Sequence, residues 1–239
     1  LFFSGSVLMR SAGCIVNDIF DKEFDSKVYR TKNRPVASGN ISIKLATFYS
    51  AVLCLMALVV LLNFNLFTII LALGSMPLAF TYPLMKRFTY WPQLFLGITF
   101  NYGLILGWTS IYGEISFIPI LFYIGAIFWT LGYDTIYGYQ DINDDEIIGL
   151  KSTSIKFKSK PYFFLITCYL ILFLIIIFLG ILNKFNLMYF CLSLLIAYHL
   201  FYFQLKKVNL NNPSSCLNCF KSNNVFGFLV FLGILIGKI

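Results

Sequence analysis

Charge is what this sequence has least of. Only 12% of its 239 residues are Asp, Glu, Lys or Arg, against 59% hydrophobic, whereas a soluble domain has about a quarter charged and half apolar. A water-soluble enzyme is thereby excluded. Histidine is almost absent: the single His199 lies inside an apolar run, where a hydrogen-bonded interior role is expected rather than metal ligation. The six cysteines are mostly scattered through apolar runs, where Cys behaves as a small hydrophobe. Cys216 and Cys219 form one CxxC with neither a second pair nor a nearby His, so a zinc or redox site is not expected. No basic segment precedes the opening Leu-Phe-Phe, so no cleavable signal peptide is expected, and the sequence does not begin with Met.

What the sequence has in quantity is long apolar runs. A helix needs about 20 apolar residues to cross the hydrocarbon core. Eight runs meet or approach that: 1–19, 43–62, 66–85, 91–110, 116–139, 162–182, 185–205 and 225–236. The expectation is one integral-membrane domain over 1–239, an all-α bundle of about eight transmembrane helices.

The net charge of +8 suggests nucleic acid at first sight, but its placement argues otherwise. The connections 22–44, 86–90, 140–160 and 206–221 hold 15 of the 18 basic residues, while the alternate connections hold only Lys184. Such alternation follows the positive-inside rule, so the four basic loops belong on the cytoplasmic side. Lys156, Lys158 and Lys160 read as ordinary topology determinants or anionic-lipid contacts. No nucleic-acid partner is expected.

Nine of the ten acidic residues fall into two groups, Asp18, Asp21, Glu23 and Asp25, then Asp134, Asp141, Asp144, Asp145 and Glu146. Ionisable groups beside a membrane span cost on the order of 3 kcal/mol each at the helix centre, so they need a reason. In Asn17-Asp18-x-x-Asp21-x-x-x-Asp25 the polar side chains fall within about a 100° arc of one helix, and Arg10 and Cys14 share that face. Asp134, Asp141 and Asp145, spaced seven and four apart, are expected on one face of a second helix. Converging carboxylates repel unless protons or cations lie between them. Oxygen donors without His or Cys suit Mg²⁺, which commonly bridges carboxylates to phosphates. Arg30, Arg34 and Lys86 supply the complementary charge for a diphosphate. An anionic end beside a greasy helical interior fits a polyprenyl diphosphate.

With those residues named, the chain resembles the UbiA superfamily of intramembrane prenyltransferases, and within it the 4-hydroxybenzoate polyprenyltransferase branch. Its NDxxDxxxD motif is matched by Asn17, Asp18, Asp21 and Asp25, its second DxxxD by Asp141 and Asp145. The branch is matched by Met9 to Cys14, Arg30-Thr31, Arg34-Pro35, Ser38-Gly39, Tyr82-Pro83, Lys86-Arg87 and Trp91-Pro92-Gln93. Tyr133-Asp134-Thr135, Tyr137 and Gly149-x-Lys151-Ser152 match it as well. The resemblance implies nine transmembrane helices, of which this sequence reads as starting at the second.

The resemblance also implies roles. Asn17, Asp21 and Asp25 would bind one Mg²⁺, and Asp141 and Asp145 another, with Asp18 and Asp144 as weaker candidates. Arg30, Arg34, Lys86 and Tyr82 would bind the diphosphate. Arg10 would pair with the carboxylate of an aromatic acid acceptor, and Asp134 would orient or deprotonate its phenol. The reaction implied is ring prenylation of 4-hydroxybenzoate in ubiquinone biosynthesis. A naphthoate, homogentisate or haem acceptor is the near alternative, and a divalent-cation transporter the distant one. A bacterial inner membrane is expected, with the site on its cytoplasmic side; a mitochondrial inner membrane fits the chemistry equally.

Overall fold

The computed structural model describes residues 1–238, and among them no strand occurs. Eight long helices form the bundle. They are α1 (Phe2–Asp25), α2 (Ile43–Leu61), α3 (Leu66–Phe88), α4 (Pro92–Tyr112), α5 (Phe117–Gly138), α8 (Pro161–Leu182), α9 (Leu187–Lys206) and α10 (Pro213–Gly237). Two short helices, α6 (Ile142–Ile148) and α7 (Thr153–Lys156), sit between α5 and α8. Seven of the long helices are long and apolar enough to cross a membrane. The eighth, α1, has 24 residues, about 36 Å at 1.5 Å per residue, so length permits a crossing. Arg10, Asn17 and its carboxylates make it the most polar of the set. The expected all-α membrane bundle is therefore the fold.

The boundaries follow local chemistry. Ser42, Asn65, Asn186 and Asn212 each accept a hydrogen bond from a backbone N–H in the first turn of α2, α3, α9 and α10, satisfying donors a helix start leaves unpaired. Pro92, Pro161 and Pro213 open α4, α8 and α10, where proline's missing N–H costs nothing.

Two expectations need correction. The last span begins at Pro213, not near Val225, because Asn212 and Pro213 start a helix through the polar residues 214–222. Asp141 is not on the helix that carries Asp134: α5 ends at Gly138, and Asp141 stands just before α6. At Gly138 a Cβ would lie 2.5 Å from Ser154 Oγ, so the chain turns where α7 packs against it.

The densest core lies among α5, α8, α9 and α10, around Leu131, Ile136, Leu165, Tyr169, Leu172, Ile196 and Leu200. Outward faces are apolar as well: Leu55 and Val59 on α2, Phe163 and Leu174 on α8, and Phe228 and Phe231 on α10 are exposed. Patches of this extent on a protein surface mark a partner or lipid, and here they ring the bundle. The short connections sit at one end, where Phe2 meets Phe64 at 4.9 Å and Asn186 N–H donates to Gly237 O. The basic connections sit at the other end, as the charge pattern requires.

Candidate active site

At the basic end a cavity of ≈440 Å³ opens between α1, α3, α5, α6 and the 26–42 loop. Of the thirteen residues singled out in the sequence, eleven line it: Arg10, Asn17, Asp21 and Asp25 from α1, Arg30 and Arg34 from the loop, Tyr82 and Lys86 from α3, and Asp134, Asp141 and Asp145 from α5 and its continuation. Asp18 stands beside it, bonded to Arg34, and Asp144 lies off the lining.

Local chain chemistry explains the convergence. Pro83 lacks an N–H, and the tighter turn Tyr82–Leu84 interrupts α3 there; Tyr82 opens that turn and Lys86 follows it, both lining the cavity. Lys151 N–H donates to Lys86 O at 2.8 Å, tying the loop after α6 to the end of α3. Gly149 closes α6 in the left-handed region at φ 79°, which any side chain resists. Thr31 Oγ1 donates to Asp25 O, fastening the basic loop onto the end of α1.

Each acidic motif is met by a cation. Arg34 Nη1 spans Asp18 at 3.1 Å and Asp25 at 2.9 Å. Lys86 Nζ lies 2.6 Å from Asp21 and its charge also reaches Asp145 across the cavity. Arg30 takes Asp141 through Nε and Nη2, while its Nη1 donates to Tyr137 Oη at 3.2 Å. Its hydrogen bonds to Asp141 push the Arg30 ionisation above its ordinary range. Asp145 goes the other way: burial, then repulsion from Asp141, raises its carboxyl to about 6. Asp21 is only 3% exposed, and its Oδ1 has no hydrogen-bond partner.

Among the described residues no three His, Cys, Asp or Glu side chains are already gathered as a metal-ligand set, since Arg and Lys occupy the carboxylates. The donor chemistry nonetheless fits a hard cation. Every candidate ligand is oxygen, two motifs face one cavity, and Asp21 keeps a buried oxygen unpaired. Deeper in, the wall turns aromatic. The Arg10 guanidinium lies 5.1 Å over the Phe100 ring, and Tyr133, Tyr137 and Phe220 complete that side. Among the described residues Arg10 makes no ion pair.

Sequence reasoning gave no role to Tyr137, Gln93 or Phe220. Tyr137 was visible in its motif, and Gln93, buried with its Oε1 accepting from Thr153 N–H at 3.0 Å, carried a signal of the same kind. Phe220 carried none, because nothing in a polar stretch announces that it reaches the cavity. A second cleft of ≈570 Å³ lies between α6, α8 and residues 209–213. It gathers none of the acidic motifs, and its Lys158 is tied to Glu146. Cys216 and Cys219 are buried free thiols inside α10, and His199 Nε2 shares a hydrogen bond with Ser222 Oγ, the hydrogen-bonded interior role expected of it.

Comparison with known proteins follows this geometry. The UbiA prenyltransferase family model matches residues 1–232. Human mitochondrial 4-hydroxybenzoate polyprenyltransferase is 41% identical over 242 residues, across all of this chain and 64% of the relative. The chain thus spans just under two thirds of that protein's length. In fold it is similar to a UbiA homolog from Aeropyrum pernix K1, with TM-score 0.84 at 20% identity over 100% of this chain and 88% of that one. A homolog from Archaeoglobus fulgidus, solved bound to GPP and Mg²⁺, gives TM-score 0.69 at 19% identity, covering 99% and 88%. The relatives described as mitochondrial give the expected bacterial inner membrane no support; integral membrane location is what stands. A match running from the first helix into the last leaves one conclusion, that this chain belongs to the UbiA prenyltransferase family.

Proposed function

We propose that the chain transfers a polyprenyl group from its diphosphate to the ring of 4-hydroxybenzoate, with Mg²⁺ as cofactor, as a step of ubiquinone synthesis. The observation that carries the reading is one cavity with a charged mouth and an aromatic interior. Five carboxylates interleave with three cations at the mouth, and aromatic rings line the deeper part. A ligand filling both parts is anionic at one end and apolar at the other.

Arg30, Arg34 and Lys86 bind the diphosphate oxygens, exchanging carboxylate partners for phosphate ones. Asn17, Asp21 and Asp25 would hold one Mg²⁺ and Asp141 and Asp145 another, and the metal charge would neutralise the diphosphate and make it a better leaving group. Tyr82 donates a hydrogen bond to the same group. The allylic C–O bond breaks with its electron pair leaving on diphosphate. Tyr133, Phe100 and Phe220 keep water from the allylic cation and turn π-faces toward it. Arg10, a cation with no carboxylate partner among the described residues, binds the acceptor's carboxylate. Asp134, one helical turn before Gly138, orients the phenol and draws its proton. The carbon ortho to that phenol then forms the new C–C bond, its proton passes to the released diphosphate, and Asp134 returns the phenol's proton as the ring regains aromaticity. The basic end of the bundle is the face on which this takes place, the positive-inside side of the membrane. An ion path for transport would favour carboxylates near the midplane, whereas these cluster at helix ends beside phosphate-binding side chains.

The test is to incubate membranes bearing the chain with labelled 4-hydroxybenzoate, a polyprenyl diphosphate and Mg²⁺, with and without EDTA. Lipid-soluble label that EDTA abolishes supports the reading. Its absence with this acceptor, alongside labelled product from another aromatic acid, overturns the acceptor.

A further inference from the structure

Below the aromatic wall of the cavity lies a buried chain of polar groups that the reaction itself does not use. Its centre is Asn223, 8% exposed, at the joint in α10 where Pro213–Lys221 ends and Asn223–Gly237 begins. Asn223 Oδ1 accepts from Trp129 Nε1 and from Gln204 Nε2, each at 2.8 Å. Its Nδ2 donates to Phe220 O at 3.0 Å and to Cys219 O at 3.3 Å. An asparagine side chain offers two acceptor sites and two donors, and all four are filled. The orientation of the amide is forced, since indole N–H only donates and backbone carbonyls only accept.

The supports of this amide are costly to build. Gln204 is fully buried and its Oε1 accepts from Tyr169 Oη. It reaches inward because Tyr198–Lys206 is wound as a π-helix, which brings His199 and Gln204, five residues apart, to the same buried side. Such windings are rare and concentrate at functional positions. Tyr169 is fully buried too, and fits only because residue 132 is glycine: a Cβ there would lie 2.2 Å from the Tyr169 ring. A membrane interior gives such polar groups no water to fall back on, so each must be matched.

What the network grips is the carbonyl of Phe220, the residue that closes the cavity wall. The Phe220 ring lies 4.4 Å from Tyr137 and 5.6 Å from Tyr133, and Trp129 packs on Tyr133 at 5.0 Å. Tyr137 in turn accepts from Arg30. We propose that Asn223 is a positioning residue for the prenyl-transfer site, holding Phe220 against Tyr133 and Tyr137 so that the wall beside the reacting carbon stays closed to water. Trp129, Gln204 and Tyr169 hold Asn223 in turn. The inference rests on the prenyltransferase reading above.

The test reads the fate of the prenyl group, which the amount of folded protein does not affect. With a labelled prenyl diphosphate, the ratio of prenyl alcohol to prenylated acid measures capture by water against capture by the ring. Asn223→Asp keeps the acceptor contacts to Trp129 and Gln204 but loses both donors to the 219 and 220 carbonyls. Asn223→Ala loses all four bonds. Both should raise the alcohol-to-product ratio about tenfold, a loss in keeping with small misplacements at a reacting centre. Phe220→Ala should raise it similarly, and Asn223→Ala with Phe220→Ala should be no worse than Phe220→Ala alone, since the two act through one contact. An unchanged ratio in active Asn223→Asp enzyme, or effects that add in the double variant, overturns the proposal. Wild-type protein without prenyl transfer would instead overturn the reading on which it rests.

Discussion

Asp145 should make the metal-free protein less stable than it need be. Its carboxyl is raised from 3.8 to about 6, first by burial and then by the charge of Asp141. The unfolded chain keeps this proton only below about pH 4, the folded chain up to about 6, so protonation favours folding. Stability is therefore lost as pH rises from 4 to 6 and stays lost above. At about 1.4 kcal/mol per pH unit, the ionised carboxylate costs the fold about 3 kcal/mol at pH 7.5. Asp145→Asn keeps the shape and removes the charge, though the amide still bears some desolvation. A gain of about 1–3 kcal/mol is expected, or roughly 3–10 °C in Tm for a chain of this size. Thermal unfolding in detergent with EDTA, at pH 7.5 and pH 4.5, reads it directly. The advantage should shrink at the lower pH, and added Mg²⁺ should stabilise wild type more than the variant, which keeps only the Asn17, Asp21 and Asp25 ligands intact. The same substitution should remove turnover. A variant no more stable than wild type at pH 7.5 would refute the reasoning.

Three further outcomes follow from the geometry. Asp21→Asn and Asp141→Asn should each lower turnover at least a hundredfold while leaving folding in detergent intact by size-exclusion profile, because each holds an opposite side of the mouth. Arg10→Met should raise the KM for the aromatic acid at least tenfold and leave that for prenyl diphosphate within a factor of two, measured by varying each substrate in turn. Gly132→Ala should destabilise the bundle by about 1–3 kcal/mol, since the Cβ meets a ring that is itself buried; Tm in detergent measures it.

The acidic motif of α1 was legible because Asn17, Asp18, Asp21 and Asp25 fall on one stripe of a helix, and a second acidic group on the same side of the membrane argues against a merely solvated helix end. The second motif was legible in composition but not in geometry. Spacings of seven and four suggest one continuous helix, yet α5 stops at Gly138 against Ser154, and Asp141 reaches the cavity from the start of another helix. Which cation meets which carboxylate was not written in either motif: Arg34 finds Asp18 and Asp25 and Arg30 finds Asp141 only once the 26–42 loop is folded over the mouth, and Lys86 finds Asp21 only once α3 packs beside α1. The last helix was cut short because Ser214, Ser215, Asn218 and Lys221 obscure an apolar pattern, although Asn212-Pro213 marks its true start. Phe220 and the amide network under it depend wholly on tertiary packing, and the π-wound turn that delivers Gln204 has no signature in spacing.

The central claim is that the cavity mouth binds a diphosphate through carboxylate-held Mg²⁺ and the three cations together. Isothermal titration of purified chain with a non-hydrolysable geranyl thiolodiphosphate, with Mg²⁺ or with EDTA, tests that claim in wild type, Asp21→Asn and Lys86→Met. The account predicts Mg²⁺-dependent binding in wild type that weakens at least tenfold in both variants. Binding of equal strength with EDTA, unchanged in either variant, would contradict it.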